Sequence, residues 1–139
     1  MVRIELMDWD KAQGIAGPIR FAIFVGEQNV PPGIELDDQD ASCMHAIAYD
    51  EAGKAVGTGR LLPDGHIGRM AVVKEWRRRG VGAALLEALV AEARRRGHKE
   101  VVLSAQLQAL EFYRGAGFVA EGKVYEDAGI LHQQMRKAL

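Results

Sequence analysis

The chain has 139 residues, 48% of them hydrophobic and 27% charged, with a formal net charge of −1. That is the size and make-up of one globular domain, 1–139, able to bury a core unaided. Near-neutrality excludes a global positive field for nucleic acid. The absence of any run approaching roughly 18 apolar residues, or of an apolar signal core after Met1, points to a soluble cytoplasmic protein with no membrane partner.

Val2 to Leu6 alternates as a short strand, and Asp10 is placed to cap a helix running toward Phe24, kinked or split at Gly17-Pro18. Gly26 to Ala41 reads as a loop broken by Pro31-Pro32-Gly33; Glu35, Asp37, Asp38 and Asp40 make it acidic, and a solvated loop is the default expectation for such a cluster. The lone Cys43 excludes an intrachain disulfide and fits a reducing compartment. Met44–Tyr49, Ala55–Leu62 and His66–Val73 then read as an antiparallel meander, joined by turns at Glu51-Ala52-Gly53 and Pro63-Asp64-Gly65.

The next segment carries the strongest signal: Arg77-Arg78-Arg79-Gly80-Val81-Gly82-Ala83, between the apolar strand ending at Val73 and an amphipathic helix. Gly80 and Gly82 allow tight turns, so that amides of the first helical turn and the positive end of the helix dipole can face an anion; the arginines add charge and forked donors. A pyrophosphate suits such a cradle. The spacing is neither that of a Walker A loop nor the Gly-x-Gly-x-x-Gly of a dinucleotide fold. It is Arg77-x-x-Gly80-x-Gly82, which by itself also suits a solvated turn.

Val81, Leu85 and Leu89 share one stripe of the helix, which should stop at Gly97, with Arg94 to Arg96 complementing its dipole. Glu100 to Ala105 is a buried-type strand reached through a helical crossover, hence a parallel neighbour of the His66–Val73 strand. A helix from Leu107 to Ala116 ends at Gly117, and strands around Val119–Tyr125 and Ile130–Arg136 are linked through Glu126-Asp127-Ala128-Gly129. The fold class is therefore α/β, with a mixed sheet of about seven strands. His45, His66, His98 and His132 stand far apart without ligand spacing, so no metal is expected.

This order of elements, the Arg77-x-x-Gly80-x-Gly82 signature and Phe112-Tyr113-Arg114-Gly115-Ala116-Gly117-Phe118 resemble the GNAT superfamily of N-acetyltransferases over essentially the whole chain. Finer matches are similar to an ElaA-like or YjcF-like bacterial subgroup: Phe24-Val25-Gly26-Glu27-Gln28-Asn29-Val30-Pro31, His45, Gly68-Arg69, Gln106-Leu107-Gln108, and Val124-Tyr125-Glu126-Asp127 leading to His132 and Met135. Gly26, Lys74 and Leu131 depart from the usual residues, Val, Pro and Pro. The resemblance implies acetyl-CoA as cosubstrate, with pyrophosphate at Arg77 to Ala83 and pantetheine in a splayed gap beside the backbone of Met70, Ala71 and Val72. Gln106 and Tyr113 complete the cofactor-binding set.

Acetyl transfer to a primary amine by direct attack in a ternary complex needs a neutral nucleophile, an oxyanion donor and a proton for the thiolate. An alkyl amine near pKa 10.4 is only ~10⁻³ neutral at pH 7, a cost of about 4.6 kcal/mol, so a base or water relay is worth having. Glu27 is the leading candidate, with His45 and His132 as runners-up; Tyr113 is the candidate general acid. A backbone amide freed at a bulge in Met70 to Val72 would hold the oxyanion. Arg60 and Arg69 are either exposed strand residues or holders of a carboxylate on the acceptor. The acceptor, a small molecule or a peptide amine, is open, and a homodimer is among the assembly states left open. The rival reading is a non-catalytic acyl-CoA sensor.

Overall fold

A computed structural model describes residues 1–139. One seven-stranded sheet, in the order β1-β2-β3-β4-β5-β7-β6, runs through the molecule. The strands are β1 (Arg3–Met7), β2 (Met44–Tyr49), β3 (Ala55–Leu61), β4 (His66–Val72), β5 (Glu100–Gln106), β6 (Val119–Asp127) and β7 (Ile130–Ala138). Helices are α1 (Trp9–Arg20), the single turn α2 (Pro32–Glu35), α3 (Val81–Arg95) and α4 (Leu110–Gly115). The expected mixed sheet and antiparallel meander are present. No helix is long and apolar enough to cross a membrane.

The β1–β4 half is sandwiched by α1 on one face and α3 on the other. Leu85, Leu86, Leu89 and Val90 of α3 pack with Leu61, Val101 and Met135 in the main core. Gly59 of β3 allows this close approach: a Cβ there would stand 2.5 Å from Met70 Sδ and 3.0 Å from Leu89 Cδ1. On the opposite face Ile19 and Ile23 cover Ala71.

The first helix differs from expectation in two ways. Its cap is Asp8, whose carboxylate accepts from the Lys11 amide at 3.2 Å, while Asp10 lies inside the first turn. The chain also does not split at Pro18; the helix continues to Arg20 and then widens into a π-helical segment, Phe21–Glu27. Pro18 withholds its own amide from the ladder, and farther along the π-helical segment pairs over five residues, as in the Gln28 amide to Ile23 carbonyl bond of 3.1 Å.

Two irregularities shape the middle of the sheet. The parallel pair β4–β5 is in register only at His66↔Val102 and Ile67↔Leu103, after which the strands diverge. In β4, Thr58↔Ala71 and Arg60↔Gly68 leave Arg69 and Met70 together opposite Gly59, a bulge in which Arg69 takes φ 50°. Beyond the gap, β7 lies between β5 and β6. Met135 of β7 is fully buried, whereas β6 is mostly exposed and suits the sheet edge.

Candidate functional site

Where β4 and β5 part, a cavity of about 540 Å³ opens between the end of the π-helical segment, the two strands, α4 and the β6–β7 hairpin. Apolar Phe24, Ile67 and Leu103 share its walls with Gln28, Arg69, Gln106, Tyr113 and His132. A bond of 2.8 Å from Gln106 Nε2 to Gln28 Oε1 spans it, and Gln108 in turn donates to Gln106. Gln28 was legible only as part of a resemblance; its position follows from the π-helical turn, which propensity does not reveal.

The loop after β4 forms the second half of the site. Arg78 and Gly80 have left-handed backbones, φ 60° and 83°, and Gly80 occupies the N-cap of α3. The amides from Arg78 through Ala83 have no acceptor within the chain. Alternating left-handed residues that gather free amides at a helix start make a concave anion receptor. Arg78 and Arg79 are exposed, Arg79 resting on Trp76 at 4.4 Å from the ring centre. Arg77 differs: its Nε donates to the Val72 carbonyl at 3.0 Å and its Nη2 to Glu27 at 2.9 Å. Because the Val73 amide bonds Val56 in β3, Val72 turns its own amide and carbonyl toward the gap. Ala71 turns its side chain to α1, and Met70 covers Gly59 while bordering the cavity.

Tyr113 is 9% exposed, edge-on to Phe112 and Phe118, and its hydroxyl makes no hydrogen bond within the chain. Burial pushes the phenol up to about 12, so it is protonated throughout the neutral range. His132 sits directly across from Gln106 on β5 and from Tyr125 on β6. Its Nδ1 lies 2.8 Å from the Ile130 carbonyl, which can only accept, so Nδ1 is the donor, and Nε2 has no partner within the chain. Tyr125, quoted above only as part of the resemblance, stacks on His132, and its hydroxyl bonds Ser104, which the sequence did not single out.

Two of the residues considered as bases stand elsewhere. Glu27 is outside the cavity wall, exposed and paired with Arg77, so it braces the anion loop while the next residue, Gln28, faces the gap. His45 is 1% exposed, packed against Trp9, with Nε2 3.0 Å from the Asp40 carbonyl; burial lowers its pKa and keeps it neutral. Being on β2, it cannot reach the β4–β5 gap.

The acidic loop departs from the solvated default at two of its four carboxylates, while Asp38 stays exposed. Glu35 and Asp40 are 4% and 3% exposed, and Arg20 bonds both. Arg60, buried rather than exposed, grips Asp37 at 2.9 and 2.8 Å and Asp40 at 2.8 Å. Hydrogen bonds from Arg60 bring Asp37 down to about 2. For Asp40, burial alone would raise the pKa, but the bonds from Arg20 and Arg60 prevail and lower it. Arg60 Nε remains buried without a partner. The loop is thus fastened to α1 and the sheet, and it forms the cavity wall beside the β4 bulge.

The model of the acetyltransferase (GNAT) domain matches residues 31–139. The chain is 40% identical to an uncharacterized N-acetyltransferase of Bacillus subtilis (strain 168), YjcF, over 123 residues, 86% of this chain and 87% of that one. Its fold is similar to an acyl-CoA N-acyltransferase from Pseudomonas aeruginosa, with a TM-score of 0.87 at 29% identity over 99% of this chain and all of the other. It is also similar to Escherichia coli ElaA, with a TM-score of 0.87 at 25% identity over 97% of this chain and 99% of that structure.

Proposed function

The chain belongs to the GNAT acetyltransferase family, and from that premise we propose that it moves acetyl from acetyl-CoA to a primary amine by direct attack in a ternary complex. One observation carries the reading: an anion receptor of free amides, Arg78 to Ala83, at the wide end of a gap that is also lined by an unpartnered buried phenol. The pyrophosphate of CoA sits on those amides and on Arg78 and Arg79, and Val72, its carbonyl held by Arg77, presents its amide to the pantetheine arm.

The acceptor nitrogen attacks the thioester carbonyl carbon, and the carbonyl electron pair moves to oxygen, held by a backbone amide of the β4 bulge. Collapse re-forms the carbonyl and breaks the carbon–sulfur bond, so the sulfur leaves with its electron pair. The amine proton passes to His132 Nε2 or through water. With the phenol at about 12, complete transfer from Tyr113 to a thiolate of pKa ~8.5 is uphill by about 5 kcal/mol. Tyr113 therefore acts chiefly as a hydrogen-bond donor to the departing sulfur, and the net proton comes from the amine.

The test is thiol release from acetyl-CoA across an amine panel, alongside calorimetry with CoA. Turnover of at least one primary amine is expected. Tyr113→Phe should lower kcat by roughly 10²-fold while the CoA Kd moves less than about twofold. CoA binding with no turnover of any amine would favour a sensor, and no association with CoA would remove the whole reading.

A further inference from the structure

The unresolved feature of the cavity is Arg69. It sits in the β4 bulge with a left-handed backbone, a conformation that costs a non-glycine residue free energy and that persists where surroundings or function demand it. Its guanidinium borders the cavity but is poorly satisfied. Nε and Nη2 reach the Ile34 and Glu35 carbonyls at 3.2 to 3.4 Å and Asp37 at 3.3 Å, and Nη1 has no partner. Asp37 is already held bidentately by Arg60 at shorter range, so Arg69 has only a share in one carboxylate. Burial and the neighbouring charge of Arg60 lower its pKa, the signature of a cation short of counter-charge.

The carboxylates around it are committed in the opposite sense. Glu35 belongs to Arg20, Asp40 to Arg20 and Arg60, and Asp37 to Arg60. Asp64, paired with His66, and Asp127 are exposed at the rim. A polycation entering the cavity would find no free buried carboxylate and would face Arg69. An anion would find the open Nη1 of Arg69, with the Arg60 side chain lining the same cavity.

We propose that Arg69 is the receptor for a carboxylate on the acceptor, so that the amine acetylated here belongs to an amino acid or a close analogue. The proposal rests on the acyl-transfer reading above. Arg69 touches the substrate at a distance from the reacting nitrogen, and its work is selection: the free Nη1 of a guanidinium short of counter-charge donates to a carboxylate a charge-assisted bond that a neutral carboxamide cannot match.

The experiment compares kcat/KM for L-amino acids, their carboxamides and the corresponding alkylamines, with spermidine as the polycationic arm, in wild type, Arg69→Asn and Arg69→Lys. Asn is chosen because it tolerates the left-handed backbone; a melting curve and the CoA Kd report that the fold and cosubstrate site survive. The wild type should prefer the best acid over its carboxamide by roughly tenfold to hundredfold. That ratio should collapse below about threefold in Arg69→Asn and be intermediate in Arg69→Lys, which keeps the charge without the fork. Equal use of acid and carboxamide by the wild type, a preference for spermidine, or a preference surviving in Arg69→Asn overturns the carboxylate receptor alone. Turnover of no amine while CoA still binds overturns the acyl-transfer reading, and this proposal with it.

Discussion

Arg20, Arg60 and Arg69 come from distant parts of the chain and converge on the acidic loop, whereas Arg77, Arg78 and Arg79 are consecutive and exposed. In the first group Arg20 and Arg60 are buried and answered by Glu35, Asp37 and Asp40. In the second, Arg78 and Arg79 have no carboxylate partner and adjoin a row of amides that have none either. The same residue type builds a wall in one place and a receptor in the other. What separates them is whether the chain itself brings a counter-charge, and Arg69, a member of the first group by position, behaves like the second.

The contrast is broken most severely from the buried side. Arg20→Met leaves Glu35 and Asp40 in the interior without their cation and should cost about 3–5 kcal/mol of unfolding free energy in urea. A loss under 1 kcal/mol would mean that the network is not structural.

Acid should dissolve the same wall. Asp37, about 2 in the folded chain against 3.8 in the free side chain, contributes stability that is fully present above about pH 4 and lost as pH falls through about 2. The contribution is on the order of 2 kcal/mol, and Asp37→Asn should flatten the stability profile across that window.

On the receptor side the effects are smaller and appear in binding. Gly80→Ala places a Cβ on a backbone at φ 83°, a strain of about 1–2 kcal/mol. The exposed loop relaxes, the amides disperse, and calorimetry should find CoA affinity lower by roughly five- to thirtyfold. Smallest is Arg79→Ala. It removes the contact with Trp76, worth about 0.5–1 kcal/mol, and weakens CoA binding a few-fold at low salt, a difference that should fade toward 1 M salt as screening removes the charge contribution.

The receptor was readable in the sequence because its pieces are contiguous: Arg77-x-x-Gly80-x-Gly82 specifies its own turn, and the stripe of Val81, Leu85 and Leu89 specifies the helix behind it. The parallel crossover followed from connectivity. The wall was not readable, since nothing local tells Asp40 from Asp38; their difference is a partner 20 residues upstream, Arg20, and another on β3. The placements of His45 and Glu27 were hidden for the same reason. Each has a plausible side chain, but one faces Trp9 of α1 from the start of β2 and the other meets Arg77 across the fold. The insertion of β7 between β5 and β6 was also hidden, because a hairpin does not announce which of its strands will dock.

The short pairing of β4 with β5 also acts as a fulcrum. The two strands are joined to each other only at His66↔Val102 and Ile67↔Leu103, and at about 3.3 Å per residue Gln106, carried with β7 on the far side of the gap, lies roughly 10 Å beyond the joint. A rotation of about 6° at the joint swings that end by about 1 Å. The bore available to an acyl chain is therefore geared to packing at the joint. Exchanging Val102, which is 8% exposed and does not border the cavity, should alter the acyl length accepted with every lining side chain still in place.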